Sequence, residues 1–178
     1  MGWTFDAKPT TKADFIARLR RDYESGGHTV LDHKVVGKEC WWLLQLSATS
    51  RDAGRVIIAV DLLDRHGGCW GSKGMDESVH PFFYACPLSW LDRAPVENAD
   101  WRAGVRKWHA DRAAIKSRRK ALAVGVAYRV PEGWKIYGRR IVSLVLSSLK
   151  PAQGTAALEG ADTVPCRVSR RLLDVLDV

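Results

Sequence analysis

Residues 29–63 restrict the fold more than any other part of the chain, because they hold three strand-length segments joined by turns too short for a crossover. Thr29–Val36 leads into a turn at Gly37-Lys38, and residues 39–48 lead into a turn at Ser50-Arg-Asp-Ala-Gly54. Residues 55–63 complete the set. Consecutive strands with such connections pair antiparallel, as a meander. In the second segment Cys40, Trp42, Leu44 and Leu46 share one face, and Trp41, Leu43 and Gln45 take the other. The third is nearly all β-branched or apolar, which marks a central strand.

A helix precedes this sheet. Thr11 offers an N-cap with Asp14 three residues on, and Phe15, Ile16, Leu19 and Tyr23 form one apolar face before Gly26-Gly27 ends the helix. The opening Met1-Gly-Trp-Thr-Phe5 is apolar enough to pack. Residues 70–92 follow the sheet and combine turn formers, acids, prolines and aromatics. Gly67, Gly68, Gly71 and Gly74 predict a loop here, and Pro81 and Pro87 keep it non-helical until after Cys86. Asn98 is placed to cap a long helix over about 99–120, with Trp101, Val105, Trp108 and Ile115 on one stripe. The last third predicts short strands over 123–130, 134–137 and 140–149. A polar loop over 151–163, a returning strand at 165–168 and a final helix capped by Ser169 follow. The expected fold is α+β: an antiparallel sheet with helices packed on one side, spanning 1–120, and a small β-rich appendage over 121–178.

Charge bears on partners. The formal net charge is +8 and the hydrophobic fraction, 46%, is high enough for a folded core. Between residues 102 and 120 stand Arg102, Arg106, Lys107, Arg112, Lys116, Arg118, Arg119 and Lys120, with Asp111 the only acid. After Ile115 the apolar stripe runs out, because Arg112 and Arg119 occupy its angle, so this end is expected to project past the core or meet something outside it. Arg139 and Arg140 form a second patch. A Lys/Arg face is often plain solvated surface, but this density is suited to neutralising several phosphates. No aromatic residue lies between 109 and 120, so base stacking is not indicated there. The four cysteines form no Cys-x-x-Cys pair and no signal peptide or membrane-length apolar run is present, which predicts free thiols and a cytoplasmic setting.

Two constellations offer chemistry. Asp76 and Glu77, with Lys73 nearby and Asp61 and Asp64 at the end of the third strand, have the residue types of a metal-dependent nuclease site. The competing expectation is structural: Asp76 and Glu77 accept backbone N–H bonds, helped by Ser78, since adjacent residues on extended chain point to opposite faces. His66, Cys69, His80 and Cys86 have the ligand types of a zinc site, but only the first pair has ligand-like spacing. No metal or cofactor is expected. Nucleophile-elbow and nucleotide-cradling motifs are absent from the sequence.

The opening Met1-Gly-Trp-Thr-Phe5 and residues 71–86 together resemble a family of small proteins of bacteria, their phages and plasmids. That family reads Met-Gly-Trp-x-Phe at the start, then Gly-Tyr-Lys-x-Met-Asp-Glu-Ser, Gly-Pro, Cys-Pro and Trp-Arg. The matching residues are Gly71, Lys73, Met75, Asp76, Glu77, Ser78, Pro81, Cys86, Pro87, Trp101 and Arg102. Ser72 departs from an aromatic and His80 from a glycine. The likeness covers roughly residues 1–110. It implies a mobile-element or prophage setting and a role in counter-defence or DNA transactions, with no activity to carry over. The combined expectation is a non-enzymatic accessory protein that binds nucleic acid or a host nucleoprotein complex through its basic helix. A metal-dependent enzyme at Asp76 and Glu77, and a protein-only interaction module built on exposed Trp and Arg, are the alternatives.

Overall fold

A computed structural model of the chain describes residues 2–8, 10–79, 81, 83–160 and 162–176. It contains two compact units, Met1–His109 and Ala110–Val178.

The first unit is a five-stranded antiparallel sheet. Its strands are β1 (Thr4–Phe5), β2 (Thr29–Val36), β3 (Glu39–Gln45), β4 (Val56–His66) and β5 (Cys69–Asp76), in the order β1-β5-β4-β3-β2. The predicted meander is present in its predicted order. Helix α1 (Lys12–Ser25) starts where Thr11 accepts the Asp14 N–H and donates its hydroxyl to the Asp14 carboxylate. Its Phe15 and Leu19 cover Cys40, Trp42, Leu44, Ala59 and Leu63.

The fold is α+β as expected, with two antiparallel sheets and three helices among the described residues, but the helices that pack on the first sheet do not share one side of it. The opposite face of the sheet, carrying Trp41, Leu43, Ile58 and Val60, is covered by Cys86, Trp90, Leu91, Trp101 and Val105. The last two belong to α2 (Ala99–Ala121). The physical reason lies in β3 and β4, which are apolar on both faces and so need a cover on each. Four tryptophans are fully buried in this unit, and each indole N–H finds an oxygen. Trp41 donates to Glu39, Trp42 to Asp61, Trp90 to Asp32 and Trp101 to the Phe83 carbonyl. Burying an indole without such a partner would leave a costly unmet donor.

The glycine-rich stretch after residue 66 is a strand, β5, and not a loop. Gly67 and Gly68, both at positive φ, make a two-residue hairpin turn that pairs His66 with Cys69. Gly71 and Gly74 serve close approach. A Cβ at Gly71 would lie 2.4 Å from the Phe5 ring, and one at Gly74 would lie 3.1 Å from Asp61 Oδ1.

The second unit holds a second antiparallel sheet of β6 (Ala127–Arg129), β7 (Lys135–Ile136), β8 (Arg139–Leu149), β9 (Ala152–Leu158) and β10 (Thr163–Arg167). The order is β10-β9-β8-β6, with β7 paired to β8. Register shifts after Ile141 and Leu146 interrupt β8 and let it bend around the core. The core is Tyr128, Ile141, Leu144, Leu146, Ala156 and Leu158, closed by Leu172 of α3 (Arg170–Leu173) and by Leu176. Ser169 caps α3 through the Leu172 N–H, as expected. The predicted loop over 151–163 instead contains β9, a central strand. Two of its three inward positions, Gly154 and Ala156, are small, and a Cβ at Gly154 would sit 2.5 Å from the Val145 carbonyl oxygen.

The division between units falls inside α2, not after residue 120. The apolar residues that bind α2 to the first core end at Val105, while Arg118 and Arg119 near its end bind Asp174 of the second unit. Among the described residues no helix is long and apolar enough to cross a membrane.

Candidate nucleic-acid interface

The Met-Asp-Glu-Ser segment ends β5 and enters a 3-10 turn, Glu77–Val79. Asp76 Oδ1 accepts both the Ser78 N–H, at 3.0 Å, and its hydroxyl, at 2.5 Å, which fixes the turn. Glu77 points the other way and is buried. Its Oε1 accepts the N–H groups of Glu97 and Asn98 at 3.1 and 2.9 Å, just ahead of α2. Arg102 grips the same carboxylate with Nε on Oε1 at 2.6 Å and Nη2 on Oε2 at 2.8 Å. The remaining Arg102 N–H groups are directed to the carbonyls of Leu91, Ala94 and Pro95.

This geometry corrects two sequence-based candidates. Arg102 is 2% exposed and bound on every side, so it is not a surface contact for nucleic acid. Glu77 could chelate a cation only by releasing Arg102, which would strand a buried guanidinium. Lys73 stands on β5 in the register that alternates away from Asp76, so the structure does not assemble these three residues into one site. Asp61 is also structural. It is buried between α1 and the sheet and accepts hydrogen bonds from Tyr23 Oη at 3.0 Å and Trp42 Nε1 at 2.9 Å. Burial pushes its carboxyl above the usual range, and the hydrogen bonds from Tyr23, Trp42 and Ser72 only partly offset that. Asp64 pairs instead with Lys38 on the surface.

The suggested zinc residues are also dispersed. His66 and Cys69 flank the β4–β5 turn. Cys86 is fully buried, and its thiol is pushed up to about 12, first by burial and then by Glu77. His80 lies outside the described residues. All four cysteines are free. Among the described residues no three His, Cys, Asp or Glu side chains are grouped to hold a metal ion.

The other basic residues are accessible. Arg106 and Lys107 are exposed on the part of α2 in the first unit, and Arg112, Lys116, Arg118 and Lys120 are exposed on the part in the second. Arg118 donates to the Asp174 carbonyl at 2.6 Å, and Arg119 pairs with the Asp174 carboxylate, which holds its guanidinium more firmly charged. At the start of β8, Arg139 pairs with Asp162 and Arg140 with Glu132.

The second unit also brings Arg119 together with three cations that sequence reasoning missed, Lys150, Arg167 and Arg170. Arg119, Lys150, Arg167 and Arg170 line one cleft of about 430 Å³ together with Leu122, Leu149 and Leu173. No carboxylate among the described residues lines it. Lys150 sits in the β8–β9 turn, Arg167 ends β10 and Arg170 begins α3. Lys150 and Arg167 are isolated cations in the sequence, Arg170 is followed by Arg171, and the fold brings the three to one cleft. The whole unit carries thirteen lysines and arginines against six aspartates and glutamates, a formal surplus of +7. The first carries fifteen against fourteen, a surplus of +1. Comparison with protein-family models, with curated proteins and with solved structures finds no match to this chain.

Proposed function

We propose that this chain is a non-enzymatic, cytoplasmic accessory protein that binds the phosphate backbone of a nucleic acid, free or within a nucleoprotein complex, through its C-terminal unit. A mobile-element setting with a counter-defence role suits such a protein. The observation that carries the proposal is the segregation of charge: almost the whole basic surplus falls in the second unit, where Lys150, Arg167 and Arg170 line one cleft beside Arg119, which is paired with Asp174. Nucleic acids are bound chiefly by such sequence-independent neutralisation, each contact releasing condensed counterions. Arg112, Lys116, Arg118 and Lys120 are further exposed cations of the same unit. Arg102, buried against Glu77, is withdrawn from the set.

The test is fluorescence anisotropy with labelled single- and double-stranded oligonucleotides at low salt. The parent should bind, and the combined variant Lys150→Glu, Arg167→Glu, Arg170→Glu should lose most of its affinity while keeping its melting temperature. Surface substitutions usually change stability by no more than about 0.5 kcal/mol each. No binding by the parent at low salt would refute the proposal. A partner captured from the native host and retained after nuclease treatment would put the protein-interaction module in its place.

A further inference from the structure

The β7–β8 hairpin turns in two residues. Ile136 pairs with Arg139 and Lys135 with Arg140, leaving Tyr137 and Gly138 as the loop. Both have positive φ, 51° and 79°, as the right-handed twist of a two-residue hairpin requires. Glycine adopts that conformation freely, and asparagine or aspartate would do so at the first position. Tyrosine there is strained, and Tyr137 is the only non-glycine residue with positive φ among the described residues. Its ring returns nothing to the core, because Tyr137 is 88% exposed. Trp3, Phe5 and the other exposed large apolar residues are all far less open, between 36% and 64%.

The surrounding charge is also set against local stability. Lys135 and Arg140 stand directly opposite on the hairpin, a like-charge pair that disfavours it. Arg139 and Arg140 are offset by partly exposed ion pairs to Asp162 and Glu132. Exposed pairs of this kind are weak and exchange readily for another anion. A strained, fully presented aromatic ring flanked by three cations is unexplained by folding and suited to a ligand with a flat face and adjacent negative charge.

We propose that Tyr137 stacks on an unpaired nucleobase while Lys135, Arg139 and Arg140 hold the neighbouring phosphates. This inference rests on the nucleic-acid reading and sharpens it: the substrate class is single-stranded DNA or RNA, or an unpaired position within a larger structure. A paired base inside a duplex has both faces covered by its neighbours and leaves no room for the ring.

The experiment uses the full chain and labelled single strands of DNA and RNA carrying a 2-aminopurine reporter, with a duplex of equal length as control. Tyr137→Asn relieves the backbone strain, so the variant should fold at least as well as the parent. Its single-strand Kd should rise roughly 5- to 150-fold, the range that loss of one base–aromatic stack gives. Reporter quenching should be lost, while duplex affinity and the salt slope stay as in the parent. Tyr137→Phe should keep parental affinity. Loss of affinity on either the DNA or the RNA strand supports the inference. Unchanged affinity of Tyr137→Asn on both, in a parent that binds, overturns it, and the Lys150, Arg167 and Arg170 reversals measured alongside show separately whether the cleft takes part. A parent that binds no strand at low salt overturns the underlying reading as well.

Discussion

Removing Arg102 would leave the Glu77 carboxylate charged and buried, with the Glu97 and Asn98 N–H groups as its remaining partners among the described residues. Breaking a buried pair from one side costs about 3–5 kcal/mol. Arg102→Met should therefore lower unfolding free energy by that amount in urea, and Glu77→Gln should do so comparably. The double variant should lose less than the sum of the two, because neither charge is then stranded. Additive losses would mean that the pair is not a unit. Asp61 gives a pH-dependent prediction. A carboxyl whose folded pKa lies above its unfolded one binds more protons folded than unfolded. Its contribution is complete below the ordinary carboxylate value and fades as pH rises through the raised one. The stability of the parent relative to Asp61→Asn should accordingly fall as pH is raised from about 4. A difference that stays flat or grows would contradict the burial argument. The thiols give a third check. Cys40 and Cys86 are buried, with thiols pushed up to about 12, whereas Cys69 and Cys166 are part-exposed. Native protein at mildly alkaline pH should react with a thiol reagent at Cys69 and Cys166 well before the other two.

At the level of elements, glycines placed by contact rather than by turns are the most diagnostic positions. Gly104 lies in α2, where alanine would ordinarily stabilise by about 1 kcal/mol. A Cβ there would meet the Tyr84 ring at 2.5 Å. Gly104→Ala should instead destabilise, by about 1–3 kcal/mol as overpacking does. In a Tyr84→Ala background the same substitution should become stabilising, which thermal melts of the four proteins would show. This contact logic also explains which elements were legible in the sequence. The meander over β2, β3 and β4 was legible because alternation of Trp and Leu shows both faces of β3. The starts of α1, α2 and α3 were legible because Thr11, Asn98 and Ser169 have side chains that cap. β5 and β9 were hidden because Gly71, Gly74, Gly154 and Ala156 look like loop composition. Their smallness answers to Phe5, Asp61 and the Val145 carbonyl, which are distant in sequence. The same cause misplaced Arg102: a basic residue on a basic helix gives no sign that Glu77, far earlier in the chain, waits in the core. Arg112, Lys116, Arg118 and Lys120 remained where their charge pattern put them. Lys150, Arg167, Arg170 and Tyr137 could be found only once hairpins and cap had gathered them.

Across the whole molecule the two units divide the work by charge and by core. The first spends its tryptophans, its buried ion pair and its buried Asp61 on a sheet covered on both faces, and is nearly neutral. The second has a smaller core and nearly all of the net positive charge. Placing the surplus where the core is thin is costly to folding through self-repulsion unless an anion is to be bound. The most direct test is the salt dependence of oligonucleotide affinity, plotted as log K against log salt. The Lys150→Glu, Arg167→Glu, Arg170→Glu variant should lose roughly 0.9 of a unit of slope per phosphate contact removed from a duplex, and about 0.7 on a single strand. A matched reversal of three exposed cations in the first unit, Arg21→Glu, Lys34→Glu and Arg65→Glu, should leave the slope as in the parent. Equal loss of slope in both variants, or loss only in the first-unit variant, would contradict the assignment of nucleic-acid binding to the C-terminal unit.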